Sequence, residues 1–331
     1  MEVGNIIEST NMFILSEDNV KKIANEGLAF EAVSEAFVAA YEKKGAIFPV
    51  VIANGCDGGN SFSIKSGNLS VQKLSGLKIG SYWADNHSKG LPNHSTTTLI
   101  LNEETGVIQA VINAGYLNGL RTAAANAVAT NKLARKNARI LGVLGAGHQA
   151  IFEIKAICKV RDIQKILIHS RTEETVLKAV EQLEKLGIIA ESASVESVCR
   201  AADILVTVTN STSPLFKEEW IKSGTHISAM GADQSGKQEL PIELVRKAKL
   251  YADSPTQSRA IGEFEAASNS TQELKICSIG AVLIGDNEGR TNLEQITIFD
   301  SSGIALQDLC VAKMVLDKAI EQRLVMEIDF S

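Results

Sequence analysis

The stretch ARILGVLGAGHQAIFEIKAICKV, residues 138–160, decides the fold of this chain. Its apolar start predicts a strand, and the amphipathic run HQAIFEIKAICKV at its end predicts a helix. Between them lies a G-x-G-x-x-A pattern made by Gly145, Gly147 and Ala150. In such a turn the first glycine permits the tight bend, the second lets the backbone approach a pyrophosphate, and the small third residue lets the helix pack on the strand. The stretch therefore predicts a dinucleotide-binding Rossmann domain.

The pattern around this stretch predicts two domains. Downstream, apolar runs such as KILIHS, DILVTVTN, THISAMGA, KLYADS and ITIFDSS alternate with helical runs, which is typical of parallel βαβ units. Upstream, residues 12–42 predict a short strand and a helix, residues 47–113 predict strands and hairpins, and residues 116–135 predict an alanine-rich helix. The fold expected is α/β, with a Rossmann NAD(P)-binding domain inserted in an α+β substrate and dimerisation domain. The expected ranges are 126–305 for the inserted domain and 1–125 plus 306–331 for the other.

The end of the second Rossmann strand bears on the choice of cofactor. NAD sites usually place Asp or Glu there, on the ribose 2′-hydroxyl. This chain has His169-Ser170-Arg171-Thr172 instead, without a carboxylate. A guanidinium and two hydroxyls suit a 2′-phosphate. We expect NADP(H) to be preferred, with NAD(H) possible, although a solvated loop arginine is the structural alternative.

Composition excludes several other classes of protein. The net charge of −6 lacks the basic excess that nucleic-acid binding needs, so we expect no nucleic-acid partner. The five cysteines are scattered and never form a C-x-x-C pair, so we expect reduced thiols and no metal site. The N-terminal region has no basic start and no long apolar run. We therefore expect a cytoplasmic protein that does not bind membranes.

The chain resembles the ornithine cyclodeaminase/mu-crystallin family nearly from end to end. The resemblance rests on LKIGSYW, on GLRTAAANAVATNKLAR just ahead of the glycine motif, on MGADQSGKQEL, and on ITIFDSSGIALQDL. It implies a homodimer in which both chain ends build the substrate domain. It also implies nicotinamide-dependent chemistry on a small amino or imino acid.

The resemblance assigns roles to individual residues. Lys78 is expected to contact substrate and take part in catalysis, Arg121 to bind the substrate carboxylate, and Asp233 to act as acid and base. Lys65 and Thr97 are expected to be further substrate-site contacts. The expected cofactor contacts are Gly145, Gly147, His148, Gln149, Ala150, Ser170, Arg171, Thr172, Thr122, Thr209 and Ser301.

A purely structural role is the alternative for several of the same residues. Arg121 could pair with an acid as a helix arginine, and Asp233 could simply cap a turn at a strand end. Lys78 and Lys65 could be strand lysines that face solvent.

One departure from the family pattern guides the choice of reaction. Many members carry an arginine after a proline in the first strand of the substrate domain, whereas residues 47–52 here read Ile-Phe-Pro-Val-Val-Ile. This weakens a direct transfer of ornithine cyclodeaminase activity. The leading hypothesis is therefore an NAD(P)H-dependent reductase of a small 2-imino acid, either a cyclic ketimine such as pyrroline-2-carboxylate or iminosuccinate, that yields an L-amino acid. The alternatives are a cyclodeaminase, an alanine-type dehydrogenase and a non-catalytic mu-crystallin-like binding protein, which the presence of Arg121 and Asp233 disfavours.

Overall fold

A computed structural model describes residues 11–56, 59–269 and 273–330. The chain divides into two compact units, one made of Met1–Arg121 with Ile304–Ser331 and the other of Thr122–Gly303. The first unit and the helix that leads out of it contain β1 Asn11–Leu15, α1 Glu17–Ile23, α2 Glu26–Tyr41, β2 Gly45–Ile47, β3 Val51–Asn54, β4 Ser61–Leu69, β5 Leu74–Tyr82, β6 His94–Leu101, β7 Ile108–Asn113 and α3 Gly115–Leu133.

The rest of the chain follows in order. The remaining elements are β8 Ile140–Leu144, α4 His148–Val160, β9 Lys165–His169, α5 Glu173–Glu184, β10 Glu191–Ser192, α6 Val195–Ala201, β11 Ile204–Thr207, β12 His226–Ala229, α7 Ile242–Lys247, β13 Lys249–Ala252, α8 Pro255–Ile261, α9 Glu265–Ser268, β14 Ile276–Ser278, α10 Ile279–Ile284, β15 Thr297–Asp300, α11 Ala305–Glu321 and β16 Met326–Asp329. The last two return to the first unit.

The first unit is a mixed sheet covered by helices. Its strand order is β16-β1-β7-β6-β5-β4-β2, with β3 also pairing with β4. Helix α11 packs against α2 and against β4 and β5. Its first eight residues are all buried, and only Gln307 and Asp308 among them are polar. The helix therefore carries an amide and a carboxylate into an apolar interface, where each needs a polar partner.

The second unit is a parallel sheet with the strand order β10-β9-β8-β11-β12-β15-β13-β14. Every ladder in it is parallel, as the alternating apolar and helical runs predict. The chain enters at β8, runs outward to β10, and then crosses to β11 on the other side of β8. This reversal of strand order is where doubly wound sheets bind their ligands. The prediction of a Rossmann fold inserted in an α+β domain is confirmed.

The buried Arg161 holds the end of α3 within the second unit. Its guanidinium donates to the carbonyl oxygens of Thr130, Asn131 and Ala134 at 2.9, 3.0 and 3.0 Å. The last carbonyls of a helix have no partner inside the helix. Arg161 therefore supplies the donors that this helix end needs.

The N-terminal region differs from the prediction in one respect. Residues 12–42 predict one strand and one helix, whereas β1 is followed by two helices, α1 and α2. The break comes at Asn25, whose side-chain oxygen accepts the N–H of Leu28 at 3.0 Å and so starts a new helix. Ser16, the residue before α1, caps that helix by accepting the N–H of Asn19.

Candidate active site

The glycine turn between β8 and α4 has the shape that a pyrophosphate requires. Gly145 has a φ of +113°. A Cβ there would lie 2.5 Å from the carbonyl oxygen of Val208, so only glycine fits. No atom comes within 4 Å of the place where a Cβ of Gly147 would be. The turn is thus fixed on one side and open on the other, where the first N–H groups of α4 are available to phosphates.

A cavity of about 660 Å³ lies beside this turn. The turn residues Gly145 and Gly147 line it on one side. The predicted contacts Ser170, Arg171, Thr172 and Thr209 line it as well, and none of its lining residues is acidic. A pocket of this size suits a cofactor.

The other predicted cofactor contacts are not among the residues that line this cavity. Ala150, in the first turn of α4, is fully buried. The ring of His148 packs edge-on against Phe152. The Gln149 amide donates to Glu153 at 2.7 Å.

The last two of these contacts lie at either end of the second unit's sequence. The Ser301 hydroxyl donates to Asp253 at 2.9 Å. Thr122 is half-buried and follows Arg121 directly on α3. Cofactor roles for these five residues stay predictions.

The first unit contains a buried ionic cluster around Asp308. The carboxylate oxygen Oδ1 lies 2.9 Å from Lys78 Nζ and 2.9 Å from Arg121 Nε. The side chains of all three are less than a tenth exposed. The structure therefore brings Lys78 and Arg121 together around an acid that the sequence did not single out.

Two amides complete this cluster. The Asn118 oxygen accepts from Lys78 Nζ at 3.1 Å and from an Arg121 terminal nitrogen at 2.8 Å. The Gln307 oxygen accepts from the other terminal nitrogen of Arg121 at 3.2 Å. Each terminal nitrogen carries two N–H groups, and these contacts use one of each. The remaining pair suits a carboxylate bound through two parallel hydrogen bonds.

Lys65 and Lys78 share one face of the sheet. They lie directly opposite each other on the antiparallel strands β4 and β5. Both are buried, at 8% and 6% exposed. Burial, reinforced by the positive charges of Arg121 and Lys65, lowers the pKa of Lys78 to about 7, although Asp308 opposes the shift. Burial alone would raise the pKa of Asp308, but Arg121 and Lys78 outweigh it and lower that pKa.

Some polar side-chain atoms of this cluster have no hydrogen-bond partner among the described residues. Asp308 Oδ2 and Gln307 Nε2 are buried and have no hydrogen-bond partner in the described part of the chain. Buried polar atoms without partners are uncommon in proteins. A small polar ligand that brings donors and acceptors would satisfy them.

The register of β5 and β6 places two threonines differently. Thr98 lies opposite Lys78, whereas Thr97 lies opposite Ile79. Successive side chains of a strand point to opposite faces. The buried Thr98 therefore shares the face of Lys78, and the predicted contact Thr97 lies on the other face.

Asp233 lies in a loop, residues 230–240, that follows β12 and is called here the Asp233 loop. Its carboxylate is 2.6 Å from Lys237 Nζ. Lys237 also donates to the Gly231 carbonyl at 3.3 Å and to Asn210 at 3.2 Å. The carboxylate is half exposed, so a small molecule can reach it. Its acid–base role stays a prediction.

Asp308, Gln307 and Asn118 were given no role in the sequence analysis, although the first two lie within the family segment ITIFDSSGIALQDL. Asp308 is separated from Lys78 by 230 residues along the chain, so no local spacing links them. One signal was available in the run ALQDLCVAKM, residues 305–314. A carboxylate within an otherwise apolar helix face needs a cationic partner.

Comparison with known proteins identifies the family. Residues 11–323 match the model of the ornithine cyclodeaminase/mu-crystallin family. The chain belongs to this family. The family prediction from LKIGSYW, GLRTAAANAVATNKLAR and MGADQSGKQEL is thus confirmed.

Several of its curated relatives are reductases and dehydrogenases. The chain is 35% identical over 320 residues to the iminosuccinate reductase of Paracoccus denitrificans, covering 96% of this chain and all of that protein. It is 36% identical over 320 residues to the alanine dehydrogenase of Archaeoglobus fulgidus, covering 96% and 98%. A pyrroline-2-carboxylate reductase of Bacillus cereus is 34% identical over 271 residues, covering 77% and 80%.

Solved structures show the same fold with a nicotinamide cofactor bound. The Paracoccus denitrificans iminosuccinate reductase in complex with NAD+ superposes with a TM-score of 0.91 at 34% identity, covering 97% of this chain and all of that one. An archaeal alanine dehydrogenase dimer with bound NAD gives 0.90 at 35% identity, covering 97% and 100%. These relatives confirm the predicted enzyme class, a nicotinamide-dependent oxidoreductase of imino or amino acids. Among the described helices, none has the length and hydropathy to cross a lipid bilayer.

Proposed function

We propose that this protein is an NAD(P)H-dependent reductase of a 2-imino dicarboxylic acid of the iminosuccinate kind, and that the product is the L-amino acid. The observation that carries the proposal is the cross-strand pair of buried lysines, Lys65 and Lys78, beside Arg121. The similarity to the iminosuccinate reductase supports it.

Charge balance favours a dianion. Lys65, Lys78 and Arg121 all act on the pKa of Asp308, the carboxylate at the centre of the cluster. Like charges placed directly opposite each other on neighbouring strands destabilise a sheet, so an anion bound beside them is favoured. A substrate with two carboxylates balances the excess of positive charge better than a substrate with one.

Each residue then has a defined task. Arg121 binds the carboxylate next to the imine carbon through its two remaining N–H groups, which fixes the orientation of that carbon. Lys65 binds the distal carboxylate, and Lys78 supplies a cation whose pKa of about 7 lets it exchange a proton near neutrality. Asp233 supplies or holds the proton of the imine nitrogen, which must be protonated to accept hydride well at the neighbouring carbon. The nicotinamide supplies the hydride when it is bound.

NADP(H) is the proposed cofactor. The turn at Gly145 and Gly147 fits a pyrophosphate, since a Cβ at the first would clash and the space at the second is open. Arg171 lies in the cavity wall with Ser170 and Thr172. A planar guanidinium with two hydroxyls matches the oxygens of a 2′-phosphate.

A cyclic ketimine is the second candidate substrate. The 34% identity to a pyrroline-2-carboxylate reductase supports it, and a solved pyrroline-2-carboxylate reductase from Thermococcus litoralis, in complex with NADH and L-proline, has a TM-score of 0.89 at 29% identity over 96% of this chain and all of that one. Such a substrate carries one carboxylate. It would use Arg121 and would give Lys65 no carboxylate of the substrate to bind.

We further propose that the enzyme acts as a homodimer in the cytoplasm. The archaeal alanine dehydrogenase relative is a dimer. Sedimentation of the purified protein tests the assembly, because a monomer at micromolar concentration would contradict it.

A product assay tests the reaction. The enzyme is given NADPH or NADH with oxaloacetate plus ammonia, pyruvate plus ammonia, or pyrroline-2-carboxylate, and ornithine with catalytic NAD+ is followed for proline. We expect net oxidation of NADPH with formation of L-aspartate. Proline from ornithine without net change in the nicotinamide absorbance would instead show a cyclodeaminase.

A further inference from the structure

Glu239 is a fully buried acid at the end of the Asp233 loop. One of its carboxylate oxygens accepts from the N–H and the hydroxyl of Thr209 at 2.6 and 2.7 Å. The other accepts from the Thr207 hydroxyl at 2.7 Å and from the N–H of Gly231 at 3.0 Å. One carboxylate thus joins the end of β11 to the start of the loop that carries Asp233.

The backbone of Glu239 is itself fixed. The carboxylate of Glu263 accepts the N–H of Glu239 at 2.9 Å and the N–H of Leu240 at 2.6 Å. Glu263 is also buried, at 2% exposed. Glu239 is therefore anchored at both its backbone and its side chain, and it cannot follow a shift of the loop without losing hydrogen bonds.

The packing at Gly231 is equally tight. A Cβ at this position would lie 2.3 Å from the Thr209 carbonyl oxygen and 2.6 Å from a Glu239 carboxylate oxygen. The backbone of the Asp233 loop thus passes directly against the cavity residue Thr209 and against Glu239. The three residues form one contact, and a displacement of any one of them moves the other two.

We infer that Glu239 is a positioning residue that holds the cavity residue Thr209 and the Asp233 loop in one fixed arrangement. The inference rests on the proposed function, because it takes Thr209 as a cofactor contact and Asp233 as the acid–base group. Glu239 touches neither substrate nor cofactor. It acts through the backbone of Gly231 and through Thr209.

Glu239→Gln is the sharpest substitution. A glutamine keeps the size of the side chain but replaces one acceptor oxygen by an NH₂ group. In either amide orientation that NH₂ group faces a backbone N–H, of Thr209 or of Gly231, which cannot accept a hydrogen bond. One of the two connections is lost, while the shape of the interior is kept.

Asp203→Asn is the matched control. Asp203 accepts the N–H groups of Arg139 and Ile140 at 2.8 and 3.1 Å and pairs with Arg135 and Lys222 at 2.8 and 2.9 Å. Like Glu239, it is a carboxylate of the second unit that is contacted by four donor groups. Unlike Glu239, it lies at the amino ends of β8 and β11. Its loss changes stability without touching the cavity or the Asp233 loop.

Kinetics and hydrogen exchange together test the inference. We expect Glu239→Gln to lower kcat by about 10- to 100-fold, while Asp203→Asn changes the kcat of the folded enzyme less than about twofold. In the Asp233→Asn background, Glu239→Gln should lower kcat little further, because Glu239 acts on the reaction by positioning the loop that carries Asp233. Losses that multiply in the double variant would overturn the inference, as would equal losses in Glu239→Gln and Asp203→Asn.

Amide exchange by mass spectrometry separates this inference from the proposed function. In Glu239→Gln we expect faster exchange at Thr209 and Gly231 and a raised Kd for NADPH, measured by its fluorescence. Neither readout needs an imine substrate. They therefore test the inference even if the wild-type enzyme reduces none of the imines in the product assay. Unchanged exchange at both amides would overturn it. Glu239→Asp, whose shorter side chain cannot reach both partners, replaces the glutamine variant if that variant does not fold.

Discussion

Lys65 and Lys78 lie directly opposite each other on strands β4 and β5, and both are buried. Two cations in this arrangement repel each other, and a sheet gains nothing from them unless an anion lies nearby. Asp308 pairs with Lys78 and Arg121 and so neutralises part of the charge. The grouping of three buried cations, Lys65, Lys78 and Arg121, is the basis for proposing a substrate with two carboxylates.

The first prediction concerns Lys65. We expect Lys65→Met to lower kcat/KM for oxaloacetate plus ammonia by about 10- to 100-fold, because a hydrogen bond to a charged group contributes about 1.5–3 kcal/mol. The same variant should change kcat/KM for pyruvate plus ammonia little. Lys44→Met is the control, since Lys44 is an exposed lysine that pairs with Glu42. Equal losses of kcat/KM for both substrates would mean that Lys65 does not bind the distal carboxylate.

The second prediction concerns pH. The pKa of Lys78 is lowered to about 7 by burial and by neighbouring cations, so this side chain loses its charge as pH rises through that value. The affinity for succinate, an unreactive dicarboxylate, should therefore fall as pH rises through about 7, with a slope approaching about tenfold per pH unit. Isothermal titration calorimetry measures it. A profile that is flat in the wild type, or that persists in Lys78→Met, would contradict the assignment.

The third prediction concerns the cofactor. Arg171→Ala should lower the ratio of kcat/KM for NADPH to that for NADH by about 10-fold or more, because a hydrogen bond to a phosphate is charge-assisted on both sides. Lys178→Ala removes a cation of α5 that is 73% exposed and pairs with Glu174, and it should leave the ratio unchanged. An unchanged ratio in Arg171→Ala would remove the argument for NADP(H).

The fourth prediction concerns stability. Arg161→Ala should lower the free energy of unfolding by about 3 kcal/mol or more, because it leaves the carbonyls of Thr130, Asn131 and Ala134 without donors in a buried setting. Urea unfolding measures the effect. Lys178→Ala should change the same free energy by less than about 0.5 kcal/mol. A loss of similar size in both variants would show that Arg161 does not hold the helix end.

Local chemistry made much of the fold predictable from the sequence. The glycine turn at Gly145 and Gly147 requires a strand before it and a helix after it, and the alternating runs that follow require a parallel sheet. The break at Asn25 was missed; Ala24 and Asn25 have extended backbone between the two helices, and the Asn25 side chain caps the second helix.

Residues of the candidate site were predictable from the sequence only where a recognised family segment assigns them a role. Lys78, Arg121 and Asp233 lie in family segments that can be read directly from the chain. Asp308 and Glu239 lie in such segments too, but their roles could not be inferred there, because those roles depend on partners that only the folded chain brings near them. The face of Thr97 likewise follows from strand register, which composition does not give.

The central claim, a substrate with two carboxylates, is tested most directly by one ratio in the wild-type enzyme. It is kcat/KM for oxaloacetate plus ammonia divided by kcat/KM for pyruvate plus ammonia, with NADPH, at concentrations corrected for the imine present. The two imines differ by one carboxylate group. We predict a ratio of about 10 or more, since one buried charge-assisted hydrogen bond distinguishes them. A ratio of about one or less would contradict the account, since the Lys65–Lys78 pair would then not select the second carboxylate.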